Sequence, residues 1–404
     1  MERLTRRRFL GGAGAAATAA ALGPPARRAS AQAKPLKIGL VLPYSNVYAV
    51  LGESITEGMR LVFERESWTV AGRKVELLRE DDEVNPQVGL RKTKKLIESD
   101  AVDFLVGPVS SGVLAAIRDT VHQARQILIV ANAGNDEISR ERCSKYIFRA
   151  SFSNWQPNWP MGAWVAAHVG KEAHLIAPKY SAGFDMMKAF KETFVPAGGR
   201  VVGEDYTPFP VNEDFAPFLT KINQAAPRVV YAFFSGSQAV RFVRQYDEFG
   251  LRVRSKLCGA GFLTETDVLP AEGKSALGII TGHFYSTLLD NPTNRQFVRE
   301  FRETFKKTPD GFAVQGYDTA QTIVHALKAT GGDTQNKDRL IEAVRRVEFD
   351  SPRGRFRFDP KTQNVIQPFI YIREVREVGG ELANVVIDQV ANVKDPGTGC
   401  TLPG

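Results

Sequence analysis

The eight residues VGPVSSGV (106–113) connect an apolar run, AVDFLV (101–106), to a segment with the apolar spacing of a helix (112–125). Short apolar runs that alternate with amphipathic helices are typical of parallel α/β sheets, in which each helix carries the chain back to the next strand. Two adjacent hydroxyls, Ser110 and Ser111, lie where this strand gives way to its helix. A serine at that position is a nucleophile, an anion-binding group or a helix cap, and other parts of the chain have to distinguish these roles.

The same alternation of strand and helix recurs through both halves of the 404-residue chain. In the first half we predict strands at KIGLVLP (37–43), VELLRED (75–81), AVDFLV (101–106) and ILIVANA (127–133). The run YIFRASFSN (146–154) interrupts that rhythm, and a second series follows at residues 173–178, 201–208, 229–234, 255–261 and 277–285. Further helices are predicted near residues 294–305, 317–329 and 337–347, and antiparallel strands at 355–359 and 368–375. The sequence therefore predicts two similar α/β lobes with parallel strands.

The first 33 residues have the order of a secretory signal. Basic TRRRFLGG (5–12) precedes an Ala- and Gly-rich stretch (13–22) and a small-residue site that ends at Ala33, and its arginine pair before Phe-Leu indicates twin-arginine export. A disordered basic tail is the alternative for this segment. Cleavage after Ala33 leaves 47 Lys and Arg against 44 Asp and Glu, so the net charge falls from +8 to +3.

The charge and hydropathy of the remaining chain limit its partners. It has no basic stripe with interleaved aromatic residues, which argues against nucleic-acid binding. It has no apolar run of about 18 residues either, so we expect a soluble periplasmic protein.

Three cysteines permit one disulfide at most. Cys258 lies in an apolar strand-like run and is expected to be a buried thiol. Cys143 and Cys400 both flank polar loop sequence, so this pair is favoured for a bridge in an oxidising compartment.

Sequence motifs for catalysis, metal binding and nucleotide binding are absent. Neither Ser110 nor Ser111 lies in a G-x-S-x-G elbow, which argues against a hydrolase nucleophile. The five histidines have no H-E-x-x-H or C-x-x-C context, and no P-loop occurs. The acidic run EDDE (80–83) is interpreted as a solvated loop. We therefore expect no enzymatic activity, no metal and no cofactor.

A different pattern recurs where the predicted strands pass into helices, at the edge where parallel sheets bind ligands. These turns read PYSNVYAVLG (43–52), GPVSSG (107–112), ANAGND (131–136), PKYSAGFD (178–185), FFSGSQ (233–238) and GAGFLT (259–264). Their hydroxyls and glycines let backbone N–H groups face an anion, and cations are almost absent. Their aromatic residues, with Phe152, supply apolar walls, although core packing is an equal alternative for each one. The pattern predicts a cleft for a small, mostly apolar molecule with one anionic end.

The chain resembles the leucine/isoleucine/valine-binding family, the type I periplasmic solute-binding proteins of ABC importers, over residues 34–390. The resemblance is carried by the export signal and, in order, by the runs at 37–64, 102–112, 146–152, 229–237 and 315–327. It implies two Rossmann-like, doubly wound lobes joined by a hinge of three crossings, with the ligand bound between them. The implied ranges are 35–151 with 286–350 for lobe 1, 152–285 with 351–390 for lobe 2, and 391–404 for a tail. It also implies a monomer that presents both lobes to a membrane permease.

The resemblance also implies a set of ligand contacts. By position, the family's carboxylate-holding hydroxyl falls on Ser111, with Ser110 beside it, and a backbone clamp falls at residues 132–134. The complete set of expected contacts is Tyr44, Ser45, Tyr48, Ser110, Ser111, Asn132, Ala133, Gly134, Phe152, Tyr180, Phe184, Phe234, Ser235, Gly261, Phe262, His283 and Tyr285.

One departure from the family bears on the ligand. Amino-acid binders of this family place an acidic residue after the strand that corresponds to SKLCG (255–259), where it meets the ligand's ammonium group. This chain has Gly261 and Phe262 there, and a buried ammonium without a counter-charge is strongly unfavourable. We therefore expect an aromatic or lipophilic carboxylate, such as a benzoate- or cinnamate-like acid. The alternatives are a branched-chain or other amino acid, and a ligand sensor that docks on a regulatory partner.

Overall fold

The computed structural model describes residues 34–210 and 214–402, so the predicted export signal lies outside the described residues. The described chain forms two large sheets, each flanked by helices, and a small two-stranded sheet. None of its described helices combines the length and apolar character that crossing a bilayer requires.

The first sheet has the strand order β2-β3-β1-β4-β5-β6. Its strands are β1 (Leu36–Leu42), β2 (Thr69–Val70), β3 (Arg73–Asp81), β4 (Phe104–Val106), β5 (Leu128–Val130) and β6 (Ile147–Arg149). All pairs are parallel except β2 with β3. The crossovers are α1 (Ala49–Arg65), α2 (Pro86–Glu98) and α3 (Ser111–Gln123). Helix α2 begins here because the Asn85 side chain accepts hydrogen bonds from the first-turn N–H groups, and Pro86 has no N–H that would need an acceptor.

The second sheet has the order β15-β14-β11-β10-β9-β7-β8. Its parallel strands are β7 (Glu172–Pro178), β8 (Arg200–Thr207), β9 (Val229–Ala232), β10 (Lys256–Ala260) and β11 (Ile280–His283). Between β6 and β11 the chain forms α4 (Trp155–His168), α5 (Ser181–Phe194), α6 (Ala216–Ala225), α7 (Ser237–Glu248) and the single turn α8 (Leu269–Glu272). The predicted parallel α/β series is therefore confirmed in both halves of the chain.

After β11 the chain returns to the first sheet. Helices α9 (Pro292–Phe305), α10 (Gly311–Thr330) and α11 (Lys337–Arg345) follow, and α10 packs along α1. This contact is close because glycines face backbone: a Cβ on Gly58 would lie 1.9 Å from the Ala313 carbonyl oxygen, and one on Gly316 would lie 1.9 Å from that of Ile55.

After α11 the chain adds antiparallel strands. A hairpin, β12 (Glu348–Ser351) and β13 (Gly354–Arg357), leads to β14 (Gln367–Val378) and β15 (Glu381–Val393), which complete the second sheet. The sequence did not predict β15, whose residues are mostly half-buried or exposed because it is an edge strand. Three segments pass between the two sheets, after β6, after β11 and before β14. The residue ranges that the family resemblance implies for the two lobes stay a prediction.

Cys143 and Cys400 form a disulfide with a Cα–Cα distance of 5.6 Å, and Cys258 is a buried free thiol. Both expectations for the cysteines are confirmed. The bridge attaches the C-terminal segment to the loop that precedes β6.

Candidate functional site

A cavity with about 290 Å³ of empty space, part of it open to solvent, lies between the carboxyl ends of the two sheets. Its walls come from the loops after β1, β4, β5 and β6 of the first sheet and from those after β7, β9 and β10 of the second. The lining residues are Tyr48, Leu51, Val109, Ser111, Asn132, Gly134, Phe152, Asn154, Tyr180, Ala182, Met186, Phe233, Ser235, Phe262 and Phe312. Among these described residues none is Asp, Glu, Lys, Arg or His.

Three helices begin at the cavity. Ser111 is the first residue of α3, Tyr180 precedes the first residue of α5, and Ser235 lies two residues before α7. The first N–H groups of a helix have no intrahelical acceptor and carry part of the positive end of the helix dipole. The cavity therefore offers hydroxyl and N–H donors to an anion without a cationic side chain.

The apolar walls are aromatic rings from both sheets and from α10. Phe262 is central: its ring centroid lies 5.1 Å from that of Phe152, 5.9 Å from Phe312 and 6.1 Å from Phe233. These rings are at most 4% exposed. They form a packed aromatic wall, a surface on which a flat apolar group can stack.

Two tyrosines connect the sheets at the cavity. The hydroxyls of Tyr48, after β1, and Tyr180, after β7, lie 3.1 Å apart. Burial raises the pKa of Tyr48 to about 12 and raises the pKa of Tyr180 well above its usual value, so both hydroxyls stay protonated at neutral pH. The ring of Phe209 stacks on Tyr180 with a centroid distance of 4.1 Å and lies 5.9 Å from Tyr48.

The structure brings eight of the expected contact residues to the cavity. They are Tyr48, Ser111, Asn132, Gly134, Phe152, Tyr180, Ser235 and Phe262. Asn132 is held in place because its side-chain amide donates to the Gln315 side-chain oxygen at 2.7 Å. The other nine expected residues lie elsewhere.

Phe234 is a correction that follows from strand alternation. Its ring is fully buried on the opposite face of the second sheet, where it packs against Phe215 and Phe242, and Phe233 enters the cavity instead. Successive side chains of an extended segment point to opposite faces, so the prediction chose the wrong neighbour. Phe184 also misses the cavity: it is 44% exposed and packs on Tyr206.

Tyr44 and Ser45 lie outside the cavity, at the acidic end of β3. The Tyr44 ring lies under the Arg79 guanidinium, 3.9 Å from its centroid, and its hydroxyl bonds to Thr56. Ser45 is half-buried in the same loop. This loop follows β1, but its cavity-facing residue is Tyr48, one helical turn further on.

Ser110 and Ala133 adjoin lining residues without lining the cavity themselves. Ser110 occupies the N-cap of α3, although its side chain makes no capping hydrogen bond. Ala133 donates its N–H to the Pro108 carbonyl and turns its side chain into the core between the first sheet and α3.

Gly261, His283 and Tyr285 do not line the cavity, and the His283 ring packs edge-on against the Phe262 ring at a centroid distance of 5.0 Å. A Cβ on Gly261 would lie 2.1 Å from the His283 ring, so this glycine is required by packing. Burial holds the pKa of His283 well below its usual value, and the Tyr285 hydroxyl donates to Asn294. The nearest acid in sequence, Glu265, is 1% exposed and engaged: its carboxylate pairs with Arg373 at 3.1 Å and accepts the Gly311 N–H at 3.1 Å.

Sequence reasoning missed seven lining residues: Leu51, Val109, Asn154, Ala182, Met186, Phe233 and Phe312. Strand alternation could have found Phe233, and helical spacing from Ala182 could have found Met186. Phe312 is the second residue of α10 and has no local signal, because only the tertiary fold brings it to the cavity. Within the described chain, no group of three or more His, Cys, Asp and Glu side chains is placed to hold a metal ion.

Comparison with known proteins gives consistent results. A family model described as "Periplasmic binding protein" matches residues 35–380. The Leu/Ile/Val-binding protein homolog 6 of Brucella melitensis is 31% identical over 375 residues, which cover 91% of this chain and 95% of that protein.

Two solved ABC-transporter solute-binding proteins are similar in sequence and structure. One, from R. palustris in complex with benzoate, is 38% identical with a TM-score of 0.86, covering 91% of this chain and 100% of that one. The other, from Rhodopseudomonas palustris BisB5 in complex with 3,4-dihydroxy benzoic acid, is 35% identical with a TM-score of 0.86, covering 90% and 99%. A leucine binding protein from Thermotoga maritima shares the fold at 19% identity and a TM-score of 0.77, covering 88% and 99%. The predicted fold of two doubly wound lobes is confirmed by these likenesses.

Proposed function

Since the chain belongs to the periplasmic binding protein family, as its resemblance to the leucine/isoleucine/valine-binding proteins predicted, we propose that it captures an aromatic carboxylate for an ABC importer. The ligand binds in the cavity between the two sheets. The protein then presents the closed lobes to a membrane permease from the periplasm, as a monomer exported by the twin-arginine signal.

The observation that carries this proposal is the chemistry of the cavity lining. Rings of Phe152, Phe262 and Phe312 surround it, three helix N-termini face it, and no charged side chain lines it. The carboxylate of Glu265, which could otherwise meet an ammonium group, is paired with Arg373. An amino acid would bury its ammonium group without a counter-charge, which is costly, whereas a carboxylate on an aromatic ring fits both parts of the lining.

The R. palustris relatives solved with benzoate and with 3,4-dihydroxy benzoic acid support a ligand of this class.

The binding geometry follows from the same contacts. The Ser111 hydroxyl and the first N–H groups of α3 hold the carboxylate, and Phe262 and Phe152 hold the ring. The Tyr48–Tyr180 contact joins the loops after β1 and β7 across the cavity, and these loops separate when the ligand enters.

Thermal shift and calorimetry with benzoate, benzamide and leucine test the proposal. Benzoate at 100 times its Kd should raise the free energy of unfolding by about 2.7 kcal/mol. Benzamide, which keeps the ring and removes the charge, should bind much more weakly. Stabilisation by leucine with none by benzoate would overturn the proposal and favour a branched-chain amino-acid binder.

A further inference from the structure

The carboxylate of Asp185 joins segments of both sheets beside the cavity. Asp185 lies in α5, a helix of the second sheet, next to the lining residue Met186. Its Oδ2 accepts the backbone N–H of Asp136 at 3.1 Å, from the loop after β5 of the first sheet, and the side-chain amide of Asn154 at 3.0 Å. The loop after β5 also supplies the lining residue Gly134. One oxygen of Asp185 therefore connects the two walls of the cavity.

Asp136 and Asp185 belong to a cluster that has more acids than bases. Arg140 lies 3.3 Å from the Asp136 carboxylate and 3.4 Å from that of Asp395, which is 2% exposed. Arg149, also 2% exposed, donates to backbone carbonyls, and burial lowers its pKa to about 10, so it stays charged at neutral pH. Among the described residues no cationic side chain pairs with Asp185, which accepts only neutral N–H donors. Three carboxylates therefore accompany two guanidinium groups, and one negative charge is left over.

The other titratable groups near this pair do not balance that charge. Lys188 and Glu192, further along α5, are exposed to solvent, which screens their charges. Burial raises the pKa of Tyr180 well above its usual value, so its hydroxyl is neutral. Burial and the charge of Asp185 raise the pKa of Asp136 well above its usual value, and burial raises the pKa of Asp185 as well. The closed arrangement therefore favours a proton on this pair, which the same carboxylates would release if they were separated in water.

We propose that Asp185 positions the loop after β5 around the ligand, and that closure of the lobes on a ligand takes up a proton at the Asp136–Asp185 pair. When the lobes separate, Asp185 moves away with α5, enters water and loses its contact with Asp136. The proton then dissociates, so a rise in pH stabilises the open form and weakens binding. The inference rests on the proposed capture of an aromatic carboxylate and adds how that capture is regulated.

Calorimetry of benzoate binding in buffers of different ionisation enthalpy measures the protons that the unmodified protein takes up. Carboxylic acids ionise near pH 4, so benzoate keeps its charge between pH 6 and pH 8. One coupled proton limits the change in Kd to about tenfold per pH unit, and we expect a rise of at least about threefold from pH 6 to pH 8, with measurable proton uptake at pH 6. If benzoate binds without proton uptake, the aromatic-acid function stands and the inference is wrong. If benzoate binds at neither pH, both are wrong.

Asp185→Asn assigns the proton uptake to this pair. The asparagine oxygen still accepts both N–H groups but does not ionise, so this variant should bind benzoate without proton uptake and with the same Kd at pH 6 and pH 8. Asp205→Asn is the matched control, because Asp205 is also half-buried and its partners, His174 and Lys221, belong with it to the second sheet and its helices. The control should keep the uptake of the unmodified protein. Uptake that persists in Asp185→Asn would overturn the assignment.

Asp185→Ala tests the positioning role separately from the charge. It removes the acceptor of both N–H groups, so it should weaken benzoate binding at pH 6 by at least about threefold, whereas Asp185→Asn restores the affinity. Binding by Asp185→Ala as tight as that of the unmodified protein would refute the positioning role. If Asp185→Asn does not fold, Asp136→Asn tests the same pair, since its side-chain oxygen still accepts the Trp155 N–H.

Discussion

Replacing Ser111 by alanine is the most direct test of how the carboxylate is held. Ser111 is 2% exposed and lines the cavity as the first residue of α3. A hydrogen bond to a charged group contributes about 1.5–3 kcal/mol. Because each 1.4 kcal/mol is a factor of about ten in affinity, Ser111→Ala should raise the Kd for benzoate by about 10- to 150-fold.

The adjacent serine provides a matched control for the same chemical change. Ser110 precedes α3, is equally buried and does not line the cavity, and its side chain makes no capping hydrogen bond. Ser110→Ala should therefore change the Kd for benzoate by less than threefold, while both variants keep near-native melting temperatures in the absence of ligand. Calorimetry that finds unchanged affinity in Ser111→Ala, or the larger loss in Ser110→Ala, would refute the placement of the carboxylate at Ser111.

Three further predictions concern the protein without ligand and the shape of the cavity. Burial raises the pKa of Asp82 to about 7, so the folded state keeps a proton that the unfolded chain releases near pH 4, and stability falls as pH rises between these values. Asp82→Asn should raise the melting temperature at pH 8 and not at pH 4. The control Asp81→Asn removes a carboxylate that accepts hydrogen bonds from backbone N–H groups, so it should lower the melting temperature at pH 8. In Gly134→Ala the added methyl group would lie 2.3 Å from the cavity amide oxygen and 2.6 Å from a ring, so calorimetry should show more than tenfold weaker binding of benzoate. Replacing Cys143 and Cys400 by serine should lower the free energy of unfolding in urea by about 2–4 kcal/mol, and an unchanged midpoint would show that the bridge is not stabilising.

The fold was predictable from sequence because each strand and crossover helix has its own local pattern. The buried run at β4 and the helix after Ser111 show this directly, since burial of β4 on both faces leaves it entirely apolar. The edge strand β15 was not predictable in the same way, because its half-exposed residues carry a weak alternation.

The candidate site was predictable at the level of loops and less so at the level of side chains. Turn composition identified the loops that meet at the cavity, as Ser111 and Tyr180 show. It did not determine which of two neighbours faces inward, and Phe234 was chosen where Phe233 lines the cavity. Phe312 lies some two hundred residues from the β4 loop in sequence, and only the packing of α10 on α1 brings it there.

A cavity that holds an anion without a cationic side chain selects its ligands differently from a cavity that contains lysine or arginine. The N-terminus of one helix stabilises an anion by about 0.3–1 kcal/mol, so a small inorganic anion gains little here. Burial of an aromatic group removes about 150–250 Å² from water, which at about 25 cal/mol per Å² contributes roughly 4–6 kcal/mol. A ring without an anionic end, however, leaves the Ser111 hydroxyl and the first N–H groups of α3 without acceptors. High affinity therefore requires an aromatic ring and an anionic group in one ligand. Because Phe152 and Phe262 belong to loops of different sheets, the ligand ring that supplies most of the binding energy also holds the two sheets together.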